Sequence, residues 1–405
     1  MKDFFQRAWL EIHLDALANN YALLNSISKP DCKIMAVVKA DAYGHGVAQC
    51  ISELAIRGCD WFAVSNLEEA LQVRAVARKA DILILGYTPA RYAPVLAEHN
   101  ITQTVLDSAN AQALSQAAVN CDVSIKVHIK VDTGMSRLGF FFQDERRDRA
   151  VLDDIAAACS LPGIIPEGIF THFAQADDPV NGHTFTERQF ELFSSCINSL
   201  NACGVDFPLH HCCNSAAAML YPHMHMDIIR PGLALFGIPA DGSFPHAGAL
   251  HPAMEMKTVL SQVKALPEGA PVSYGSTVTM REGTLSATVP VGYADGYPRA
   301  LSGKGHMLLD GKRVPILGRV CMDQCVLDIS AVNGAAPGMT VTVFGRDGGE
   351  FIPAQNLTES VGAIPYELLC SINKRVPRVY LRGGELIDVA NYMLFDAYGV
   401  RINKA

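Results

Sequence analysis

The sequence predicts an α/β protein: a (β/α)8 TIM-like barrel over residues 1–245, followed by a predominantly β domain over residues 246–405. Three observations carry that expectation. Short apolar runs, eight in number, alternate with helical patterns over roughly 230 residues, which suits a closed parallel barrel. Side chains with chemistry to offer stand at or near the carboxyl ends of those runs, where barrel enzymes assemble their sites; an open doubly wound sheet would gather them at one switch point. Near residue 245 the texture changes to short strands separated by Gly-rich turns.

Taken in order, Trp9–Leu14 alternates apolar and polar residues as a half-buried strand does, and it is a candidate to pair with the second domain. Asp15 is a candidate N-cap for an amphipathic helix through Leu24. The barrel runs are Lys33–Ala40, Trp61–Asn66, Asp81–Gly86, Gln103–Asp107, Ser124–Asp132, Glu167–Phe173, Leu209–Asn214 and Ile228–Gly237. Between them lie helical patterns such as Leu67–Lys79. Its Glu68 and Glu69 come early and its Arg74, Arg78 and Lys79 late, as the helix dipole favours. Phe244–Pro252, rich in Pro, Gly, Ala and His, reads as a linker. Beyond it Thr258–Ala265, Leu285–Val291, Val314–Ile316, Val326–Ile329 and Thr340–Phe344 read as strands, with turns at Asp310-Gly311 and Asp347-Gly348-Gly349.

The 405 residues are 49% hydrophobic and 18% charged, enough for two domains with a sizeable core. The formal net charge is −8 and no basic stripe occurs, which argues against a nucleic-acid partner. No stretch approaches the roughly 18 uninterrupted apolar residues of a membrane span. Met1–Leu14 lacks an apolar core followed by a small-residue cleavage site, so a cytoplasmic location is expected. Twelve cysteines without a CxxC pair read mostly as small buried hydrophobes, not as a disulfide framework or zinc ribbon.

The focal stretch is Met35–Gly46. A β-branched apolar run, Ile34–Val38, delivers Lys39 at its carboxyl end and breaks into Tyr43, Gly44, His45 and Gly46. A desolvated lysine amine is available to condense with a carbonyl, although on the strand alone a lysine reaching for water is the commoner outcome. Lys130–Gly139 sets a cation after a strand and a Gly-bearing turn. Arg137 there can clamp a carboxylate or phenolate through its planar fork, or pair with Asp132 at the surface. Thr171-His172-Phe173-Ala174 ends another strand with a histidine, more often structural in such a place. Asn214-Ser215 offers a hydroxyl and amides suited to a phosphate, and equally an ordinary cap. Arg230-Pro231-Gly232 sets a permanent charge beside a glycine that lets an anion approach the backbone.

Three phenols, Tyr274, Tyr293 and Tyr366, stand in turn-like segments of the second domain. Each alone is more often packing; several together hint at an aromatic-lined site. No metal is expected. His210-His211-Cys212-Cys213 alternates across a strand and cannot converge. His223 and His225 lack further ligands, and Cys321 and Cys325 lack partners at zinc spacing. No Gly-x-Gly-x-x-Gly or P-loop pattern supports a nucleotide fold.

Together these segments resemble the fold type III, pyridoxal 5′-phosphate-dependent alanine racemases across almost the whole chain. In order they are Ala-Val-Val-Lys-Ala-Asp-Ala-Tyr-Gly-His-Gly, Lys-Val-Asp-Thr-Gly-Met-Ser-Arg-Leu-Gly, Thr-His-Phe-Ala, Asn-Ser-Ala, Arg-Pro-Gly, Ser-Tyr-Gly, Val-Gly-Tyr-Ala-Asp-Gly, Gly-Arg-Val-Cys-Met-Asp-Gln and Ile-Pro-Tyr-Glu. The resemblance implies interconversion of L- and D-alanine by two-base proton exchange at Cα of the cofactor-bound substrate, supplying D-alanine for peptidoglycan. Lys39 would carry the cofactor and act as one base; Tyr274, contributed to the partner subunit of a homodimer with shared sites, would be the other. Tyr43, Ser215, Gly232, Leu233 and Tyr366 match phosphate-holding positions. Arg230 matches the residue facing the pyridine nitrogen, with His172 behind it. Arg137 and Met322 match the substrate-carboxylate side, and Lys130 matches a lysine often carbamylated.

An arginine opposite the pyridine nitrogen cannot protonate it, which weakens the electron sink and should suppress side reactions such as transamination. This chain departs from the family in carrying Phe236 where a tyrosine is usual, His13 where an acid is common, and a tail from about Gly384 to Ala405. Two other activities compete: racemisation of serine or a broader set of amino acids, and pyridoxal-phosphate-dependent decarboxylation. The bulk of Tyr366 favours alanine over serine, and Arg230 disfavours the decarboxylase, which typically uses an acid at that place.

Overall fold

The computed structural model describes residues 6–239 and 243–394. It divides into two compact units, one comprising 16–42 and 47–251, the other 6–15, 43–46 and 252–394. The last part of the tail, 395–405, lies outside the described residues.

The first unit is a parallel barrel. Its strands are Lys33–Val37, Trp61–Val64, Asp81–Ile84, Thr102–Val105, Ile125–Asp132, Ile164–Phe170, Leu209–His211 and Ile228–Ile229. Consecutive strands pair in parallel through the seventh, and the eighth returns to the first. The seventh and eighth strands meet where the Asp227 N–H donates to His210 O (3.0 Å) and the Arg230 N–H donates to Cys213 O (2.9 Å), bringing the ring nearly to closure. Helices cover the strands, so residues pointing outward from the ring are as buried as a core: Val127, Ile129 and Val131 are inaccessible. The alternate residues of that strand are Lys126, His128, Lys130 and Asp132, and this alternation gathers polar side chains on its other face. Helix starts are fixed by side-chain caps: Asn66 accepts from the Glu69 N–H and Asp107 from the Asn110 N–H.

Several strands are shorter than their apolar runs. The first ends at Val37 because Ala40, Asp41, Ala42 and Tyr43 take φ of 53°, 56°, 53° and 52°, a left-handed turn. Ile228–Gly237 keeps only two strand residues; Pro231 has no N–H to give a ladder, and Leu233–Phe236 coil into a 3-10 turn. Asp15 is not a cap, since the helix Leu14–Ile27 already contains it. His210 and His211 do diverge, but the strand stops at His211, so alternation no longer separates Cys212 from Cys213. Their sulfurs lie 3.9 Å apart, both donating to Met224 O.

The second unit is built on an eleven-stranded, mostly antiparallel sheet. The N-terminal strand Ala8–His13 lies inside this sheet, two strands from one edge, antiparallel to Met254–Val259 and parallel to Arg378–Arg382. The Asp310-Gly311 hairpin joins Leu309 to Lys312 with both turn residues at positive φ, the two-residue geometry that matches strand twist. The tail contributes one more strand, Glu385–Ala390, on the Arg378–Arg382 edge. Among the described residues no helix is long and apolar enough to cross a membrane. The twelve cysteines are all free and seven are buried, where desolvation pushes thiols such as Cys32 up to about 11.

Candidate active site

Inside the barrel, Arg230 is 3% exposed and no carboxylate partners it among the described residues. Its guanidinium donates to His211 Nδ1 (2.7 Å), Thr171 O (2.8 Å) and Cys212 O (3.1 Å), and its Nη2 lies 3.4 Å from His172 Nδ1. Burial lowers its pKa to about 10, which leaves it charged at neutral pH. A guanidinium only donates, so the tautomers beyond it follow one another. His211 must accept at Nδ1 and therefore carries its proton on Nε2. That proton is donated to His128 Nδ1 (2.7 Å), so His128 is protonated on Nε2, which faces Glu167 at 3.5 Å. Desolvation, then the charge of Arg230, holds the His211 and His172 imidazoles neutral.

Glu167 closes this row with Lys126 (2.8 Å) and Thr102 (2.9 Å). Two local features let it do so. The pairing register slips between Val127 and His128, so Glu167 is the unpaired residue of a bulge. At the next residue, Gly168, a Cβ would stand 2.7 Å from the His128 ring.

The loop after the Ile125–Asp132 strand carries Lys130 and Arg137. Asp132 Oδ1 accepts from the N–H groups of Gly134, Met135 and Ser136, each at 3.0 Å, and this knot orders the turn. Arg137 is exposed and forms no ion pair with Asp132, whose oxygen is already used. Lys130 is 7% exposed, with its Nζ 4.9 Å from the centre of the Phe170 ring. Burial first, and then the charges of Arg230 and Arg137 against the pull of Asp132, hold its amine well below the ordinary lysine range. Gly139 is required here because a Cβ would meet Lys130 at 2.8 Å.

Asn214 proves to be the helix cap, accepting from the Ala217 N–H, which leaves Ser215 for another task. The Ser215 hydroxyl accepts from the N–H groups of Gly232 (2.9 Å) and Ala234 (3.3 Å). It thereby gathers a hydroxyl and successive amides around the end of the last strand, while the Leu233 N–H has no acceptor among the described residues. Lys39 is half-buried at the carboxyl end of the first strand. The left-handed turn that follows costs roughly 1–2 kcal/mol per residue, so its surroundings must over-determine it. Glu69 supplies part of that restraint, accepting from the N–H groups of Ala40 and Ser65, both at 2.8 Å.

The second unit holds the remaining residues. Tyr43 is buried, with its ring centre 5.7 Å from that of Tyr366, which is 39% exposed. Tyr274 stands 70% exposed in a turn where Ser273, Gly275 and Ser276 all have positive φ. Ser273 Oγ donates to Arg319 O, and the Tyr293 N–H donates to Cys321 O, so these loops meet beside Met322. Met322 is 52% exposed and its N–H has no acceptor among the described residues.

The barrel thus brings Lys130, His172 and Arg230 into one cluster and sets Ser215, Gly232 and Leu233 in another. Sequence reasoning missed His128, His211, Glu167 and Glu69. The available signal was polar residues, His128 above all, inside an otherwise apolar strand run.

The chain matches the family profile described as "Alanine racemase, N-terminal domain" over residues 12–240 and "Alanine racemase, C-terminal domain" over residues 253–380. It is 43% identical over 387 residues to an alanine racemase of Desulfosudis oleivorans, covering 95% of this chain and 98% of that one. An alanine racemase of Methanococcus maripaludis is 39% identical, over 92% of this chain and 98% of its own. Among solved structures, alanine racemase from Bacillus anthracis with bound L-Ala-P superposes with a TM-score of 0.88 at 33% identity, covering 96% of this chain and 99% of that chain. That of Clostridium difficile 630 gives 0.89 at 33% identity, covering 97% and 100%. The protein belongs to the alanine racemase family.

Proposed function

We propose that the protein is a homodimeric, pyridoxal 5′-phosphate-dependent racemase that interconverts L-alanine and D-alanine, with D-alanine for peptidoglycan as its product in the cell. The observation that carries this reading is Arg230, a buried cation with no carboxylate, backed by imidazoles whose tautomers follow from its own donors. A site of that kind suits a ring nitrogen that accepts a hydrogen bond and stays unprotonated. The residues also fit the phosphate end of the group: the Ser215 hydroxyl, held beside Gly232 by the Gly232 N–H, the Leu233 amide, and the Tyr43 and Tyr366 phenols are donors of the kind a phosphate takes.

Pyridoxal 5′-phosphate, when bound, supplies the electron-withdrawing conjugation that acidifies Cα–H. In our reading Lys39 holds the cofactor and moves the proton on one face of Cα. Tyr274 of the partner subunit moves it on the other, so inversion needs no large rotation of the substrate. Arg137 and the Met322 N–H bind the substrate carboxylate, and a carbamylated Lys130 braces Arg137. Support for a shared site comes from Tyr274, Tyr293 and Met322, exposed on neighbouring loops of the second unit in a single copy.

The test is chiral chromatography of L-alanine and L-serine incubated with the cofactor-loaded protein. Alanine should approach an equal mixture of enantiomers, faster than serine. Faster serine turnover would overturn the substrate assignment, and carbon dioxide release without enantiomer would overturn the reaction.

A further inference from the structure

Residues Tyr43–Gly46 group with the second unit although they directly follow a barrel strand and its left-handed turn. Two side chains of the strand Arg378–Arg382 grip their backbone. Arg378, 1% exposed, donates from Nε to Gly44 O (3.1 Å), while its Nη groups hold the carbonyls of Ile372 (2.9 Å), Asn373 (2.9 Å) and Val376 (2.6 Å). The Tyr380 hydroxyl, also buried, donates to His45 O at 3.1 Å.

The two glycines of the segment record how closely it is held. A Cβ on Gly44 would stand 2.2 Å from Leu369 O, and one on Gly46 only 1.8 Å from the Tyr380 hydroxyl, with φ of +80° and +90°. Leu369 lies in the helix Pro365–Ser371, which carries Tyr366, and the Tyr43 ring packs on Tyr366. One strand therefore holds the segment by two of its carbonyls, Gly44 O through a guanidinium whose other nitrogens are fixed on residues 372–376 and His45 O through a phenol, and the segment in turn abuts the helix that carries Tyr366.

We propose that Arg378 and Tyr380 are positioning residues that clamp the Tyr43 segment against the Tyr366 helix, so that the two phenols present one preformed pair to a phosphate monoester. Both act through the backbone carbonyls of Gly44 and His45. Their contribution is to spare the segment from ordering when the ligand binds, in a stretch of backbone too costly to hold itself. The proposal rests on the reading of Tyr43 and Tyr366 as phosphate donors.

The test is equilibrium dialysis of the holoenzyme and its variants against graded pyridoxal 5′-phosphate and, separately, against pyridoxal, which lacks the phosphate. Tyr380→Phe removes one hydroxyl and Arg378→Lys removes the fork; the first keeps the test open if the second does not fold. Each should weaken pyridoxal 5′-phosphate binding about tenfold, the loss of one good hydrogen bond, while pyridoxal affinity stays within about twofold. Tyr43→Phe and Tyr366→Phe should show the same phosphate-selective loss. If those two bind pyridoxal 5′-phosphate like the parent, the phosphate reading itself falls. If they lose affinity while Tyr380→Phe and Arg378→Lys do not, the clamp is refuted. An equal loss of both ligands in the clamp variants would mark a merely structural role and also refute it.

Discussion

Replacing Glu167 by glutamine isolates the anchor of the barrel's polar row, and the structure sets the size of the effect. Burial works to raise the pKa of this carboxyl. The approach of His128 and the close contacts of Lys126 and Thr102 outweigh it and hold the group at about 2, from an ordinary 4.5. A carboxyl depressed in the folded state contributes stability that is complete above its unfolded pKa and is lost as pH falls toward the folded one. At about 1.4 kcal/mol per pH unit the shift corresponds to roughly 3 kcal/mol. The side chain is 15% exposed, so solvent screening discounts this little.

Glu167→Gln should therefore be less stable than the parent by about 2–3 kcal/mol at pH 7. The gap should stay constant down to about pH 5 and shrink from pH 4.5 toward 2. Trp61 reports on the barrel, with its ring 5.9 Å from that of His128, and Trp9 is the only other tryptophan. Urea unfolding followed by fluorescence in a Trp9→Phe background, repeated from pH 7 to pH 3, measures the gap. Equal urea midpoints at pH 7, or a gap that ignores pH between 5 and 3, would refute the reasoning.

Two further outcomes follow from the loop after the same strand. Lys130, its amine held below the ordinary lysine range by burial and then by the charge of Arg230, should take up carbon dioxide: 13C-bicarbonate should give a carbamate NMR signal absent from Lys130→Met. Asp132→Ala removes the acceptor of three N–H groups and should loosen the turn bearing Arg137. The KM for alanine should rise about tenfold while pyridoxal 5′-phosphate affinity holds, as a dialysis titration would register.

The barrel was legible because its strands are buried on both faces and so read as continuous apolar runs, from Ile34–Val38 to Ile228. The second unit was legible through its Gly-rich turns, as at Asp310-Gly311. The left-handed turn was not. Ala40, Asp41, Ala42 and Tyr43 carry no glycine to announce positive φ, and the restraint comes from Glu69, about thirty positions away in the chain. Glu167 was hidden for a related reason. Its side chain joins the polar row through a one-residue bulge, and register slips leave no trace in apolar periodicity. His211 was visible but was weighed only as a metal ligand beside His210; its partner, Arg230, follows nineteen positions later. Arg378 opens the strand Arg378–Arg382, beyond the last strand run read from the sequence, and it is among the largest fully buried side chains.

The central claim is that two groups, Lys39 and the partner subunit's Tyr274, exchange the Cα proton of alanine on opposite faces. It is tested most directly by following L-alanine and D-alanine separately in D2O with the cofactor-loaded protein and its Tyr274→Phe variant. The account predicts that the parent converts either enantiomer to an equal mixture deuterated at Cα, and that Tyr274→Phe loses inversion by at least about a hundredfold in both directions, the scale of a positioned acid–base group. Full inversion by Tyr274→Phe in both directions would contradict it.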